Sequence, residues 1–347
     1  MTRPRIVHLI DDAAPDGVMR VLDHIIDHPE MTANGRHEVH IMRRNALTFR
    51  RIKADIIVSH LTISWRMLPR IIALQASHGD LPILHVEHNY TETFVASEVQ
   101  NHRRFATLLR TAYARFDKVV AVSQAQGRWL VSQDFVAAER LEVIPSAVNV
   151  TPFLEMDAPV AGSPVRMGAI GRLDKQKGFD TLIEAFVALP EMDTRLDLYG
   201  EGPEREALEA LAQGDDRVTF HGHVDPVEAM SSIDVLVMPS RWEGYGLAAL
   251  EARAAGRRLI VSGVDGLADH IAGGARPVAG GSLPAWKRAL VEAFVQPDLP
   301  GFARERRVLA AAEADSFAQG WIRLIAEMRA AAQPQSKGEQ IGLPQST

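Results

Sequence analysis

The amino-acid sequence predicts an α/β protein of two doubly wound halves, each a parallel sheet with helices on both faces. Three observations predict it. Short apolar runs of strand length alternate with longer runs of helical period along most of the chain, the pattern of successive βα units. The alternation breaks between Thr151 and Pro164, where Pro152, Pro159, Gly162 and Pro164 cluster as they do in interdomain linkers. Finally, 347 residues is long for one domain and ordinary for two. The expected division is a first domain at 1–150, a linker at 151–164 and a second domain at 165–314. A terminal helix at 315–330 and a polar, disordered tail at 331–347 follow.

Composition narrows the class. Apolar residues make up 46% and charged residues 24%, the balance of a globular protein. The longest apolar runs fall far short of the roughly 20 residues of a membrane span. Ile6 to Ile10 is too short for a signal-peptide core and runs straight into Asp11-Asp12. Cysteine is absent, so there is no disulfide framework, thiolate metal site or cysteine nucleophile. A cytoplasmic location is the expectation. The net charge of −6 is uneven: residues 1–150 carry 18 basic and 16 acidic side chains, the remainder 20 and 28. The first half is therefore the one suited to an anionic surface. Nucleic acid is a poor partner, because no basic strand is studded with aromatics.

In order, Arg5–Ile10 reads as a strand and Val18–Ile26 as the helix after it, with Gly17 at the turn and Arg20 on the helix. Asp11 and Asp12 point opposite ways on an extended chain and read as solvated turn acids. Further units are Glu38–Met42 with a helix Ala46–Lys53, Ile56–Ser59 with Trp65–Ser77, and Pro82–Val86 with one long helix Phe94–Phe116. Lys118–Val122 and Leu141–Ile144 close the series. His88 lies just past a strand's carboxyl end, where ligands of such sheets bind; His85, inside the strand, reads as core. On the long helix, Arg103, Arg104, Arg110 and Arg115 fall on one side, and Phe105, Leu108, Leu109, Ala112 and Phe116 on the other. Arg43, Arg44, Arg50, Arg51 and Lys53 add basic charge. Such a face can be merely solvated, or it can dock on anionic lipid at about 1 kcal/mol per base.

The second series opens with a strand Val165–Ile170, a loop Gly171–Gly178 and a helix Phe179–Leu189. A strand from Leu196 runs into a Gly200-Glu201-Gly202-Pro203 turn, and a strand from Val218 into the loop Gly222-His223-Val224. The central stretch comes next. Asp234–Met238 is a buried strand ended by Pro239, followed by the turn Trp242-Glu243-Gly244-Tyr245-Gly246 and a helix from Leu247. Free backbone N–H groups and the positive helix end then face one point, suited to a phosphate. The carboxylates of Glu243 and Glu251 flank that point and suit hydroxyl groups instead. Phosphate beside polyol describes a nucleotide sugar. Arg258–Val261 is a further strand, Pro284–Phe294 and Phe302–Ala312 are helices, and Asp315–Met328 is the last helix.

The segment from Pro239 to Glu251, with its two glutamates eight residues apart, closely resembles the hallmark of retaining family 4 glycosyltransferases of the GT-B fold. The Gly171-Arg172-Leu173 and Lys177-Gly178 pairs resemble a second segment of that family. The resemblance is sharp over about 165–260 and topological over 1–150. It implies two facing Rossmann-like domains, donor bound by the second and acceptor by the first, with the terminal helix crossing back to the first. It implies that Arg172 and Lys177 hold the donor diphosphate and that Glu243 holds sugar hydroxyls. Glu251 would hold the ribose, His88 the reacting sugar, and Gly222, His223 and Val224 the base. Gly17, Gly244, Tyr245, Gly246 and Leu247 complete the implied donor site. Where the family commonly has a glutamate, Asp269 is shorter.

With two cations at the diphosphate, no divalent metal or other cofactor is expected, and the donor is a nucleoside-diphosphate sugar, a UDP-sugar by preference. The resemblance favours a lipid acceptor at the inner face of the cell membrane, with Arg103, Arg104 and Arg110 at the surface. The alternatives are a role in exopolysaccharide or lipopolysaccharide assembly and a non-catalytic nucleotide-sugar-binding protein. A nicotinamide oxidoreductase is disfavoured, since no G-x-G-x-x-G opens a helix after a strand.

Overall fold

Runs dense in Ile, Val and Leu suit strands buried on both faces, and a computed structural model of the chain places them in two parallel sheets. It describes residues 3–11, 17–42, 51–157, 165–296, 298 and 301–332. The first sheet comprises β1 (Arg5–Ile10), β2 (Arg36–Ile41), β3 (Ile56–Ser59), β4 (Ile83–Glu87), β5 (Lys118–Ala121) and β6 (Leu141–Val143). Their order is β2-β1-β3-β4-β5-β6, with every pairing parallel. The second comprises β7 (Val165–Ile170), β8 (Thr194–Tyr199), β9 (Val218–Gly222), β10 (Val235–Met238), β11 (Arg258–Val261) and β12 (Arg276–Pro277). Its order is β12-β11-β10-β7-β8-β9, again parallel throughout. In each sheet the order reverses beside the first strand, at β1/β3 and at β7/β10. Those switch points open the crevice in which such folds bind ligands.

One apolar cluster runs through both halves, from Ile6, Leu22 and Ile25 to Leu236, Leu250, Trp321 and Leu324. Each half also has its own cluster, around Ile57, Leu109 and Tyr113 in the first and Phe186, Leu198 and Trp286 in the second. Fully burying each large side chain is worth about 1.5–3 kcal/mol, so the shared cluster ties the halves together.

The terminal helix supplies much of that tie. The sequence suggests two helices at its end, whereas the chain forms one, Phe302–Ala332, of 31 residues. Asp315 is the expected fresh start, but the helix runs straight through it, and the neighbouring Ser316 Oγ donates to the Ala312 carbonyl within the helix, at 2.8 Å. The helix crosses from the second half to the first. Glu313 accepts from Arg253 and from the Tyr245 hydroxyl, each at 2.6 Å. Farther along, Gln319 reaches Glu30 and Arg323 reaches Glu142, also at 2.6 Å, and Lys118 meets Glu327 at 3.0 Å.

Three other expectations need correction. The helix Phe94–Phe116 is two helices, Glu92–Glu98 and His102–Tyr113. Val99 is extended, and Thr91 and Asn101 each cap a separate start, accepting from the N–H groups of Phe94 and Arg104. A helix Gln124–Ser132, capped by Ser123, was not evident, because Gln124, Gln126 and Gly127 blur its apolar period. Arg51 to Ala54 are not helical; the rest of the expected helix at 46–53, with Arg43, Arg44 and Arg50, lies outside the described residues. The expected tail begins inside the terminal helix at Ala331 and Ala332, and 333–347 lie outside the described residues, as do 158–164 of the linker.

Candidate active site

At the second sheet's switch point the loops after β7 and β10 are pressed together. Gly178, between the short 3-10 turn Lys175–Lys177 and the helix Phe179–Val187, has φ +66°, and a Cβ there would lie 2.4 Å from the Pro239 carbonyl oxygen. Only glycine fits such a left-handed, crowded position. The contact sets Lys177 beside the β10 loop, where its Nζ lies 2.6 Å from Glu243 Oε2. Ser240 Oγ donates to the same oxygen at 3.2 Å. Arg172 is more open: its side chain is 63% exposed and its Nε meets Asp174 Oδ2 at 2.6 Å. Both cations expected at a diphosphate thus stand at one loop, each held by a carboxylate.

Glu251, one turn into the helix Leu247–Ala254, is fully buried. One oxygen accepts from Arg20, on the first half's helix Gly17–Asp27, and the other has no hydrogen-bond partner among the described residues. Burial pushes the Glu251 carboxyl above the usual range, Arg20 pulls it down, and Asp225 pushes it up again. Gly17 faces Leu247 across the same seam, at contact distance. Gly222 ends β9 beside Glu201, His223 is exposed, and Val224 packs on the shared core. Gly246 has φ +92° and immediately precedes the helix. Tyr245 is the exception: its ring packs on His270 and its hydroxyl is spent on Glu313, so only its backbone is left for a donor.

His88 comes to this loop from the other side. The Glu87 carboxylate accepts from the backbone of Asn89 at 2.8 Å and Tyr90 at 3.0 Å, and from the Tyr113 hydroxyl at 2.7 Å, which pins the turn after β4. A Cβ on Gly244 would lie 2.7 Å from the His88 carbonyl oxygen, so glycine lets the two loops meet. Burial lowers the His88 imidazole to about 4; Glu87 opposes this and His85 reinforces it. His85 itself is buried and stacks on Phe116, a core residue as its strand position implies.

Some contacts across the seam left no trace in the sequence pattern. Asp265, at φ +43°, accepts from the Thr93 backbone at 3.1 Å and from its hydroxyl, and from the Glu243 backbone at 3.3 Å. Asp269 accepts from the backbone of Gln124 at 2.5 Å and of Ala125 at 3.2 Å. A carboxylate of the second half thereby caps a helix of the first. Lys175 meets Glu98 at 2.9 Å. The contacts with Thr93, Gln124, Ala125 and Glu98 have no local signature, since each partner lies across the cleft.

The arginines do not form the single free face that one long helix implies. Arg110 donates to the carbonyls of Asp134 at 3.0 Å and Gln133 at 2.8 Å and lies over the Phe135 ring, closing the end of the helix Gln124–Ser132. Arg104 lies over Trp65, itself 43% exposed, and Arg103 is exposed. A cavity of about 650 Å³ opens beside Arg20, lined also by Asp23, His24, Asn149, Thr151 and Asp315. Lys177, Glu243 and His88 are not among its lining residues. Among the described residues no three His, Asp or Glu side chains are grouped to hold a metal ion, and no helix is long and apolar enough to cross a membrane.

Residues 6–151 match the family described as Glycosyltransferase Family 4, and residues 164–296 match Glycosyl transferases group 1. The lipopolysaccharide core biosynthesis mannosyltransferase LpsB of Rhizobium meliloti is 28% identical over 76% of this chain and 73% of its own length. A phosphatidyl-myo-inositol mannosyltransferase of Mycolicibacterium smegmatis is 31% identical over 60% of this chain, which spans only 55% of that relative's length. Among solved structures, sucrose-phosphate synthase from Thermosynechococcus elongatus superposes with a TM-score of 0.74 at 21% identity, over 94% of this chain and all of that one. HepE of Anabaena, crystallised with UDP and glucose, gives 0.69 at 16% identity, over 93% of this chain and all of that one. Two matched segments that together span most of the chain, on two facing parallel sheets of the GT-B kind, place this protein among the family 4 glycosyltransferases.

Proposed function

We propose that the chain transfers a hexose from a nucleoside-diphosphate sugar, with UDP favoured, to a hydroxyl of a membrane lipid, retaining the anomeric configuration. The observation that carries this reading is the Lys177–Glu243 pair on the β10 loop, which meets the backbone of His88 at Gly244. In that reading the donor exchanges partners with the pairs described above. The diphosphate takes Lys177 from Glu243 and Arg172 from Asp174. Glu243, so released, accepts from sugar hydroxyls, and Glu251 exchanges Arg20 for the ribose. The backbone of Gly244, Tyr245, Gly246 and Leu247 and the loop Gly222-His223-Val224 complete the donor site, with Gly17 against the phosphates.

The acceptor hydroxyl attacks the anomeric carbon on the face from which the diphosphate leaves. The new C–O bond forms as the old one breaks, and the hydroxyl proton passes to the departing phosphate oxygen. Negative charge grows on that phosphate, and two fixed cations stabilise it where it develops. No metal is required for this, so activity survives excess chelator. The similarity to a phosphatidyl-myo-inositol mannosyltransferase and the exposed Trp65, Arg103 and Arg104 support a lipid acceptor at an anionic membrane surface on the inner face of the cell membrane. The similarity to LpsB favours a second reading, lipopolysaccharide assembly. A screen of UDP-, GDP- and ADP-sugars against detergent-solubilised phospholipids and against soluble glycans tests both. Transfer to a lipid supports the first, transfer only to glycans the second, and donor binding without turnover a non-catalytic protein.

A further inference from the structure

One carboxylate joins the loops that face each other across the cleft. Asp265 follows β11 in the second half. Its Oδ1 accepts from the backbone N–H of Thr93 at 3.1 Å. Its Oδ2 accepts from the Thr93 hydroxyl and, at 3.3 Å, from the backbone N–H of Glu243. The next residue, Gly266, donates its N–H to the Glu243 carbonyl at 3.0 Å. A Cβ on Gly266 would lie 2.1 Å from the Gly244 carbonyl oxygen, so this loop is seated directly on the loop that carries Glu243. Both backbone polar groups of Glu243 are thereby held. Thr93 belongs to the helix Glu92–Glu98, into which the His88 loop runs through its cap Thr91. The same short helix sets the Phe94 ring edge-on to Trp242, 5.7 Å between centroids, and Glu98 on Lys175 at 2.9 Å. Gln176 Nε2 donates to the Trp242 carbonyl at 3.1 Å, which ties the Lys175–Lys177 turn to the Glu243 loop as well.

The backbone at Asp265 is left-handed, with φ +43°. Few residues other than glycine adopt that conformation, and glycine would take the same turn without strain. Strained positions of this kind gather where the side chain has work to do. Here the work is visible in the contacts. Asp265 spans the backbone that leads from His88 and the backbone that carries Glu243, so it fixes one against the other. A sugar held between those two side chains leaves little tolerance, since a displacement of about 1 Å can cost about 10²-fold in rate.

We propose that Asp265 is a positioning residue: by bridging Thr93 and the Glu243 backbone, it sets the spacing of His88 and Glu243 across the bound sugar. The proposal rests on the donor site described above. Asp265 acts through the two backbones and not on the sugar itself. Arg172 and Glu251 have their own partners, Asp174 and Arg20, and take no part in the bridge. Loss of the bridge therefore falls on the transfer of the sugar and spares the binding of the nucleotide.

The test separates the bridge from the reaction. Asp265→Gly removes the carboxylate and keeps the turn, because glycine adopts a left-handed φ freely. Hydrogen exchange resolved to single amides reads the bridge whether or not the protein turns over any donor. The N–H groups of Thr93 and Glu243 should both exchange about tenfold faster in the variant. Acceleration at only one of them, or at neither, overturns the proposal. In the same variant kcat for sugar transfer should fall about tenfold, as expected for one lost hydrogen bond to a charged group, while affinity for UDP stays unchanged. An unaltered kcat, or an equal loss of UDP affinity, shows that Asp265 only shapes the turn. Thr93→Val keeps the size of the side chain without its hydroxyl and should also lower kcat, whereas Thr93→Ser should match the wild type. The double change Asp265→Gly with Thr93→Val should be no slower than Asp265→Gly alone; losses that multiply overturn the bridge. Should Asp265→Gly fail to fold, the two Thr93 variants test the bridge through kcat and the exchange of the Glu243 amide. Absence of transfer in the wild type counts against the proposed function and leaves the two amides to decide the bridge.

Discussion

Lys177 and Glu251 are the residues whose contacts say most about their work. Lys177 gives its ammonium to Glu243 in the structure, and the proposed reaction moves it to a phosphate whose charge grows in the transition state. Lys177→Ala should therefore lower kcat by about 10²–10³ while raising the donor KM much less. Steady-state kinetics with one donor would read both, and a change confined to KM would remove Lys177 from catalysis. Glu251 is buried with one oxygen on Arg20 and one without a partner among the described residues, which in the proposed function accepts from a ribose hydroxyl. Glu251→Gln keeps the shape but halves the acceptor capacity, and UDP affinity by calorimetry should drop about tenfold. The motif residues were legible at this scale because their chemistry is local: cations, carboxylates and glycines at fixed spacing around Gly171 and Glu243. Asp265 was not, since only the folded chain brings it against Thr93 and Glu243.

Among the elements, strands were read best. β1, β3, β7 and β11 have the bounds that their apolar runs imply, because a short run buried on both faces has no other stable place. Helices were read worse wherever a cap decided the outcome. Asn101 splits the expected helix Phe94–Phe116 by offering its side chain to Arg104, whereas the helix Phe302–Ala332 runs straight through the expected start at Asp315, with the Ser316 hydroxyl turned back to Ala312. The split matters for membrane binding. Arg110 closes a neighbouring helix, so Arg110→Gln should lower the melting temperature, by the few degrees that about 1 kcal/mol represents, and leave vesicle binding little changed. The double change Arg103→Gln with Arg104→Gln should spare stability, since Gln is about as good a helix former as Arg. It should also weaken sedimentation with anionic vesicles in low salt. Equal binding by that variant and the wild type would leave the face merely solvated.

For the whole molecule, the buried imidazoles make stability a function of pH. His8, His60, His88 and His270 all titrate below an unfolded value near 6.5, chiefly because burial disfavours their charged forms. Between pH 6.5 and about 4 the unfolded chain binds protons that the folded chain refuses, so stability is full above 6.5 and declines as pH falls through that window. Each such group contributes a slope of up to about 1.4 kcal/mol per pH unit. Urea midpoints at pH 7.5, 6 and 5 should therefore fall progressively; a flat series would mean that these rings titrate as they do in water. The two parallel sheets were visible in the sequence, but the seam between them was not. Thr93 with Asp265, Gln124 with Asp269 and Arg20 with Glu251 are 172, 145 and 231 residues apart, and only the folded arrangement pairs them.

The helix Phe302–Ala332 also sets a timetable for synthesis. Trp321 lies edge-on to His8, Gly320 fits against Ile144, and Leu324 is buried in the cluster that contains Ile6 and Leu22. A wall of the first domain is thus made of residues synthesised after both sheets. The domain translated first cannot complete its core until the helix Phe302–Ala332 has been made, reversing the usual order in which N-terminal domains fold ahead of those that follow. A nascent chain arrested after β12 should expose Ile6 and Leu22 to protease, and a chain that includes the helix Phe302–Ala332 should not. Until that helix arrives, the half-built first domain is a natural client for a chaperone.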